Sequence, residues 1–376
     1  MLNLKLNIQG PCPSCGVPRM GFIDFQHRIV PSHFPEVPMP DSSLPTPSQP
    51  LISVVIPTFK RPDLLLERGL ASALAQNYPH LEVLVVMDGP DPLTAAALAG
   101  VDDARLRPLT LPSNQGPSAA RNYGVQHARG EWVAFLDDDD LWRPEKLARQ
   151  MELAQRSRHP LPVVLSGYIT RTPYGDTLCP PRQKTENETL GDYMLVRSSV
   201  TGKLCTLVCT LLMVPQSLAL SLPFRTELRN SEDVDWMLRA EEIEGVGFEQ
   251  LSPQDANALA IYHVGEDRPT GSGDSIWHPM LNWAQGHREA GRLSDRAFAG
   301  FLLAQLVPRA VQRGDYHGLP ILGRALLSTR PGPGELATFA KHWALPATLR
   351  RRLRVWLNTR RAPVRLGSDP PRSDQK

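Results

Sequence analysis

Four consecutive carboxylates, Asp137 to Asp140, directly follow a short apolar run, Trp132 to Leu136. The apolar run has the length of a buried parallel strand. Four adjacent acids repel one another, and hard oxygen ligands of this kind suit a divalent cation. A charge run is more often a solvated loop. Open α/β sheets, however, bind ligands at the carboxyl ends of their strands, so the stretch favours a cation site.

The elements that must position these acids alternate along the chain. Apolar and β-branched runs predict strands, and leucines and alanines at helical spacing predict helices. The sequence predicts strands at 51–56, 81–87, 105–109, 132–136, 162–169, 204–214, 246–251 and 258–263. It predicts helices at 61–77, 92–99, 118–128, 144–156 and 231–242, and several short helices between Trp277 and Trp356. This alternation predicts an α/β fold, with a mostly parallel sheet flanked by helices and a helical C-terminal region.

Composition narrows the function classes. The 376 residues carry a net charge of only +2, which gives no global field for nucleic acid. The charge is uneven, because ten basic and two acidic residues lie between Lys341 and the C-terminus. This basic tail predicts a solvated helix or a peripheral membrane contact. Five cysteines and an N-terminus without a continuous apolar core lead us to expect a cytoplasmic protein, either free or peripheral on the inner face of the cell membrane.

The N-terminal stretch carries a second pattern that could do chemistry. Cys12 and Cys15 have the spacing of half a zinc site, but four ligands are needed, so a small turn is the alternative. Seven prolines between Pro31 and Pro50 predict an extended linker. We therefore expect an N-terminal extension at 1–50, a main domain at 51–265 and a helical region with the basic tail at 266–376.

Four separated motifs carry a family resemblance. They are ISVVIPTFKRPDLL, VLVVMDG, NQGPSAARNYGVQHARGEWVAFLDDDDLW and SEDVDWMLR, in that order, between Leu51 and about His263. Together they resemble the family 2 glycosyltransferases, which have the GT-A fold with a Rossmann-like nucleotide-binding sheet. The resemblance implies inverting transfer of a sugar from a nucleotide-diphosphate sugar to an acceptor hydroxyl. A Gln-x-x-Arg-Trp motif is absent, which favours a non-processive enzyme.

The resemblance also implies roles for individual residues. On the donor side it places contacts to the nucleotide sugar at Pro57, Thr58, Asp88, Arg121, Asn122, Asp137 and Asp138. An ion pair with one of the acids is the alternative for Arg121. Asp139 is the implied metal ligand, and His263 is implied to contact the diphosphate or the metal. Because all four acids are adjacent, the register of the Asp-x-Asp motif stays ambiguous, and Asp138 and Asp140 could serve as electrostatic support.

The implied general base is Asp233, in the pair Glu232-Asp233 that opens a helix. The alternatives at this position are N-terminal capping and a base at Asp235. The chemistry asks for these residue types, because a carboxylate can take the acceptor proton and Mg²⁺ or Mn²⁺ can neutralise the leaving diphosphate. We expect an acceptor that is a glycan or a lipid-linked saccharide, in polysaccharide biosynthesis of the cell envelope.

Other functions stay open at this point. A sugar nucleotidyltransferase shares the parallel sheet and the metal, but no clear Gly-rich phosphate loop follows Ile56. A phosphatase of the haloacid dehalogenase type carries the motif Asp-x-Asp-x-Thr/Val, whereas Leu141 follows the four acids of this chain. A non-catalytic nucleotide-sugar-binding protein is the third alternative.

Overall fold

The computed structural model describes residues 49–172, 175–196, 204–228, 230–252, 258–263 and 277–344. Cys12, Cys15, most of the proline-rich segment and most of the basic tail lie outside the described residues. The zinc and membrane-contact hypotheses therefore stay predictions, and so do the three domain ranges.

Eleven strands occur in the described part of the chain. They are β1 (Ile52–Thr58), β2 (Leu81–Met87), β3 (Leu106–Thr110), β4 (Trp132–Phe135), β5 (Leu141–Trp142), β6 (Leu161–Leu165), β7 (Gly167–Thr172), β8 (Gly175–Cys179), β9 (Leu212–Pro215), β10 (Val246–Gln250) and β11 (Ala258–His263). Seven of them form a central sheet in the order β10-β6-β9-β4-β1-β2-β3. Only β9 runs antiparallel to its neighbours, which confirms the mostly parallel α/β sheet.

The central strands are buried on both faces because helices cover the sheet. Every residue of β1 and β2 is buried, as expected for β-branched runs in a parallel sheet. The helices are α1 (Pro62–Leu64), α2 (Ala71–Leu74), α3 (Pro92–Ala99), α4 (Pro117–His127), α5 (Lys146–Arg156), α6 (Leu190–Leu195), α7 (Gln216–Ser221), α8 (Glu232–Ala240), α9 (Trp277–Glu289), α10 (Asp295–Phe301), α11 (Val307–Gln312), α12 (Gly318–Leu327) and α13 (Pro333–Ala344). A π-helical stretch, Leu65–Leu70, joins α1 to α2.

A second sheet extends the fold beyond the central one. Its order is β5-β11-β7-β8, with β11 antiparallel to β5 and parallel to β7. Ile261 pairs with Leu141, which directly follows the four acids. The chain beyond Ile261, including His263, therefore runs toward the acidic stretch.

Two sequence-based strand predictions were wrong. The predicted strand 162–169 is two strands, β6 and β7, which belong to different sheets. The predicted strand 204–214 is extended chain and a 3-10 turn, Cys209–Leu211, before the short β9. Most of its apolar residues are buried, so periodicity alone could not distinguish buried irregular chain from a buried strand.

The C-terminal helices have their own apolar interior. Phe298, Phe301 and Leu302 are buried, and the backbone of Gly300 lies so close to the Leu195 carbonyl that a side chain would clash there. Helix α10 therefore packs tightly against α6. Among the described residues, no helix is long and apolar enough to cross a bilayer.

Candidate functional site

The four acids form a tight turn at the carboxyl end of β4. Asp138 is fully buried and accepts hydrogen bonds from the Thr58 hydroxyl at 2.7 Å and from Arg61 at 2.5 Å. The second guanidinium nitrogen of Arg61 lies 3.0 Å from Asp139. Burial raises the pKa of Asp138 to about 7, although Arg61 and Thr58 act to lower it. Arg61 therefore compensates two buried carboxylates of the turn.

Thr210 holds the turn from the opposite side. Its hydroxyl donates to Asp140 at 2.7 Å and accepts from the backbone N–H of Asp137 at 3.3 Å. Thr210 lies in the 3-10 turn that sequence periodicity misread as strand, and so its role was missed. Of the four acids, Asp137 alone is not buried. Its carboxylate is therefore the one best placed to meet a ligand.

Asp88 lies at the same sheet edge, directly after β2. Its two carboxylate oxygens accept the backbone N–H groups of Gln115 and Gly116, at 2.7 and 2.9 Å. Asp88 is 4% exposed, and these bonds fix the loop that opens α4. Contact between Asp88 and a nucleobase stays a prediction.

Arg121 of α4 joins the acidic turn to α8. One guanidinium nitrogen lies 2.6 Å from Asp137, and another lies 3.2 Å from Glu232, which is 111 residues away in sequence. Arg121 is 4% exposed, so both ion pairs are partly shielded from water. The ion-pair alternative for Arg121 is therefore what the structure shows, and a direct donor contact stays a prediction.

Asn122, the next residue on α4, has a different neighbour. Its side-chain amide donates to the Phe224 carbonyl at 2.8 Å and accepts the Phe224 N–H at 2.9 Å. This pair of bonds fastens the segment that precedes α8 to α4. The structure does not bring the Asn122 amide to the acidic turn, and its predicted donor contact stays untested.

Glu232 and Asp233 open α8 beside Arg121. Ser231 precedes them with a left-handed backbone, φ 61° and ψ 23°, and its side chain makes no capping hydrogen bond. Ser231 therefore does not cap the helix through its side chain, while the Asp233 carboxylate accepts the Val234 N–H at 2.8 Å. Burial and the neighbouring Glu232 charge raise the pKa of Asp233 to about 7. A carboxyl group with such a pKa can exchange a proton near neutral pH.

Asp235, the other candidate on α8, has an unlike environment. It is fully buried and takes hydrogen bonds from Arg225, Arg239, Trp283 and His287, which together with it are called the Asp235 cluster below. Burial acts to raise the pKa of Asp235, but the bonds from His287, Trp283 and Arg239 hold it at about 2. A charged, fully bonded carboxylate is a poor proton acceptor, so Asp235 is poorly suited to act as the base.

The carboxylates of the acidic turn could bind a divalent cation only with further ligands. Among the described residues, no three His, Cys, Asp or Glu side chains are grouped so that they could hold a metal alone. Mg²⁺ ordinarily takes one or two protein carboxylates and completes its shell with phosphate oxygens and water. Asp137, which is partly exposed, and Asp139, which Arg61 binds, would therefore need phosphate oxygens and water to hold such a cation.

Sequence reasoning overlooked Phe59. This aromatic residue directly follows Thr58 at the edge of the sheet and is 41% exposed, which is unusual for a phenylalanine. Lys60 next to it has a left-handed backbone with φ 55°, and its N–H is held by Asp91 at 3.1 Å. The signal was available, because an aromatic residue just beyond a buried strand falls at the ligand-binding edge.

Comparison with known proteins agrees with this geometry. The model of the family "Glycosyl transferase family 2" matches residues 53–202, which include β1, the acidic turn and Arg121. The chain carries a family 2 glycosyltransferase domain. Asp233 and the Asp235 cluster lie beyond the matched residues of this glycosyltransferase domain.

Relatives and solved structures extend the comparison. The succinoglycan biosynthesis protein ExoO of Rhizobium meliloti is 41% identical over 105 residues, 28% of this chain and 30% of the relative. The Escherichia coli UDP-Glc:alpha-D-GlcNAc-diphosphoundecaprenol beta-1,3-glucosyltransferase WfgD is 31% identical over 103 residues, 27% of this chain and 40% of the relative. The chain thus matches less than half the length of either protein.

The fold comparison covers more of the chain. The crystal structure of S. aureus TarS 1-349 in complex with UDP-GlcNAc superposes with a TM-score of 0.51 at 19% identity. The match covers 74% of this chain and 80% of that one. It shows that the glycosyltransferase domain has a known glycosyltransferase fold.

Proposed function

We propose that this chain transfers a sugar from a nucleotide-diphosphate sugar to an acceptor hydroxyl, with inversion and with Asp233 as the general base. The observation that carries the proposal is the Arg121 bridge. Arg121 brings Asp137, at the end of β4, and Glu232, beside Asp233, to one guanidinium group. The donor-side acid and the base thereby meet at one edge of the sheet, where a two-substrate displacement needs them.

On the donor side, the sheet edge offers a face for the nucleoside. The exposed Phe59 ring can stack on a base, and Pro57 and Thr58 end the strand beneath it. Asp88 binds the loop that precedes α4 and keeps the first turn of that helix at the same edge of the sheet. This arrangement favours a flat nucleobase as the donor's outer end, with its diphosphate near the acids.

The diphosphate is the leaving group, and its negative charge must be compensated. A Mg²⁺ or Mn²⁺ ion held by Asp139, with Asp137 and His263 as proposed further contacts, would supply Lewis-acid stabilisation of that charge. Arg61 and Thr210 fix the turn, so the carboxylates of Asp137 and Asp139 are already oriented. Asp138 and Asp140, both bonded within the turn, support its shape and its field.

On the acceptor side, Asp233 takes the hydroxyl proton. A pKa of about 7 lets the carboxylate be free at neutral pH and still accept a proton in the transition state. The acceptor oxygen then attacks the anomeric carbon as the bond to the diphosphate breaks, and the sugar is inverted. The products are the extended acceptor and a nucleoside diphosphate.

The acceptor is proposed to be a saccharide or a lipid-linked saccharide of a cell-envelope polysaccharide. The names of the relatives support this, because ExoO acts in succinoglycan biosynthesis and WfgD acts on a diphosphoundecaprenol-linked sugar. A lipid-linked acceptor would place the reaction at the inner, cytoplasmic face of the membrane.

The decisive experiment replaces Asp233 by Asn. We expect kcat to fall at least about 100-fold, which is the usual contribution of a general base. The rise in melting temperature caused by UDP or GDP with Mn²⁺ should persist, because the donor side is unchanged. Asp295→Asn, at an exposed aspartate on α10, is the matched control and should keep full activity.

The released product separates this function from its rivals. A transferase releases a nucleoside diphosphate, whereas a sugar nucleotidyltransferase releases pyrophosphate. Full activity in Asp233→Asn would rule out Asp233 as the general base. If neither nucleotide shifted the melting temperature and no nucleotide sugar were turned over with either metal, the proposed function itself would be wrong.

A further inference from the structure

The two acids of α8 face opposite sides of the helix. Residues two positions apart on an α-helix project about 200° from each other. Asp233 adjoins Glu232, whose carboxylate pairs with Arg121, the partner of Asp137 in the acidic turn. Asp235 lies in the cluster with Trp283 and His287 of α9. Asp235 thus fastens helix α8 to α9, and Asp233 faces the side of the acidic turn.

The partners of Asp235 come from three separate stretches of chain. One carboxylate oxygen accepts from Arg225 at 3.2 Å, Trp283 at 2.9 Å and His287 at 3.0 Å. The other accepts from Arg239, one turn later on α8, at 2.7 Å. The cluster therefore ties the segment before α8, α8 itself and α9 to a single carboxylate.

The same segment before α8 is fastened at further points. Trp236 donates to the Leu222 carbonyl at 2.6 Å, and Arg239 donates to the Pro223 carbonyl at 3.0 Å. Asn122 binds the backbone of Phe224 from α4. The position of α8 relative to the acidic turn is therefore set by contacts on both sides, and the Asp235 carboxylate at the centre of one of them is fully buried.

We propose that Asp235 is a positioning residue for the base, and that α9, through Trp283 and His287, fixes the angle at which α8 presents Asp233. This inference rests on the proposed function. A misplacement of about 1 Å at a reacting group can cost about 100-fold in rate. In this view Trp283 and His287 of α9, which lie outside the matched family residues, position the base.

The test compares the same substitution at two tryptophans of α9. Trp283→Phe removes the N–H that Asp235 accepts together with part of the ring, and leaves an aromatic ring on the side of Phe301. Trp277→Phe removes a similar bond, 2.7 Å to Asp315, at the other end of the helix. We expect Trp283→Phe to lower kcat about tenfold with KM for the donor nearly unchanged, and Trp277→Phe to keep the wild-type kcat.

Asp235→Asn gives the larger perturbation. We expect a fall in kcat of about 100-fold with the nucleotide-induced rise in melting temperature retained. If this variant does not fold, the tryptophan pair still decides the question. Wild-type kcat in Trp283→Phe, or equal losses in both tryptophan variants, would overturn the inference, because a merely structural role predicts no selective effect on kcat.

A second measurement keeps the inference separate from the proposed function. If the wild-type protein shows no transfer with any nucleotide sugar, the proposed function fails first. Hydrogen exchange of the α8 amides, residues 232–240, then reports whether the cluster fixes the helix. Faster exchange in Trp283→Phe than in Trp277→Phe supports the positioning role, and equal exchange contradicts it.

Discussion

At the scale of residues, the local surroundings give two aspartates on one helix opposite protonation behaviour. Burial and the Glu232 charge raise the pKa of Asp233 to about 7, whereas hydrogen bonds hold the pKa of Asp235 at about 2 despite its burial. Pairs of carboxyl groups whose pKa values are driven apart identify which acid can move a proton. These environments make Asp233, and not Asp235, the acid that can exchange a proton near neutral pH, which supports the proposed base.

A pH profile tests this assignment. Asp233 acts as a base only when it is deprotonated, so kcat/KM of the wild type should rise with pH and level off above about 7. Glu232→Gln removes a negative charge that raises the pKa of Asp233, so the rising limb should move to lower pH. Arg121, which lowers that pKa, stays in place in this variant. An identical limb in wild type and Glu232→Gln would contradict the assignment.

At the scale of elements, the acidic turn keeps its shape through its contact with the helical stretch after β1. The Gly69 N–H donates to the Asp138 carbonyl at 3.3 Å, and a Cβ atom on Gly69 would lie 2.9 Å from the Asp138 Cα. Backbone lies against backbone here, so neither side can move without moving the acids. Glycine lowers the stability of a helix relative to alanine. The close approach of the two backbones explains why a glycine occupies position 69.

Gly69→Ala tests that contact. We expect a loss of about 1–3 kcal/mol in the free energy of unfolding, because a methyl group is forced into packed backbone. The displaced turn should also weaken the nucleotide- and Mn²⁺-induced rise in melting temperature. Gly286→Ala is the control, since no atom lies within 4 Å of its Cβ position on α9, and it should be neutral or stabilising. Equal behaviour of the two variants would show that Gly69 is not a special contact.

At the scale of the whole molecule, the Asp235 cluster joins the sheet domain to the C-terminal helices. Arg225 precedes α8, and Trp283 and His287 belong to α9, so the cluster holds together parts of the chain that lie far apart in sequence. The ring of Trp283 also packs on Phe301 of α10. The described helices after residue 276 are therefore bonded, through α9, to the helix that carries the proposed base.

The pH dependence of stability follows from this cluster. The folded-state pKa of Asp235 lies below its ordinary value, so its contribution is present above about pH 4 and is lost as the pH falls toward 2. The difference between wild type and Asp235→Asn in free energy of unfolding should be at least about 2 kcal/mol at pH 7 and should shrink below pH 4. Denaturant unfolding at pH 7, 4 and 3 measures it. A difference independent of pH would show that the carboxylate charge is not what stabilises the cluster.

The sequence by itself determined the sheet and its functional edge. The buried β-branched runs of β1 and β2, and the strand before the four acids, are local patterns, and parallel strands bring their carboxyl ends to one edge. Thr58, Asp88 and the acids therefore fell together as expected. The family motifs named Asp233 because residue type and order are also local information.

Only the tertiary structure decided which side chains form ion pairs and buried hydrogen bonds. Arg121 and Glu232 are 111 residues apart. Thr210 binds the acidic turn from a segment that sequence periodicity wrongly predicted to be a strand. Ion pairs and buried hydrogen bonds depend on distances of about 3 Å between elements, and no spacing along the chain encodes them. The separation of Asp233 from Asp235 arises in the same way, because burial and partners set a pKa and both come from the packed fold.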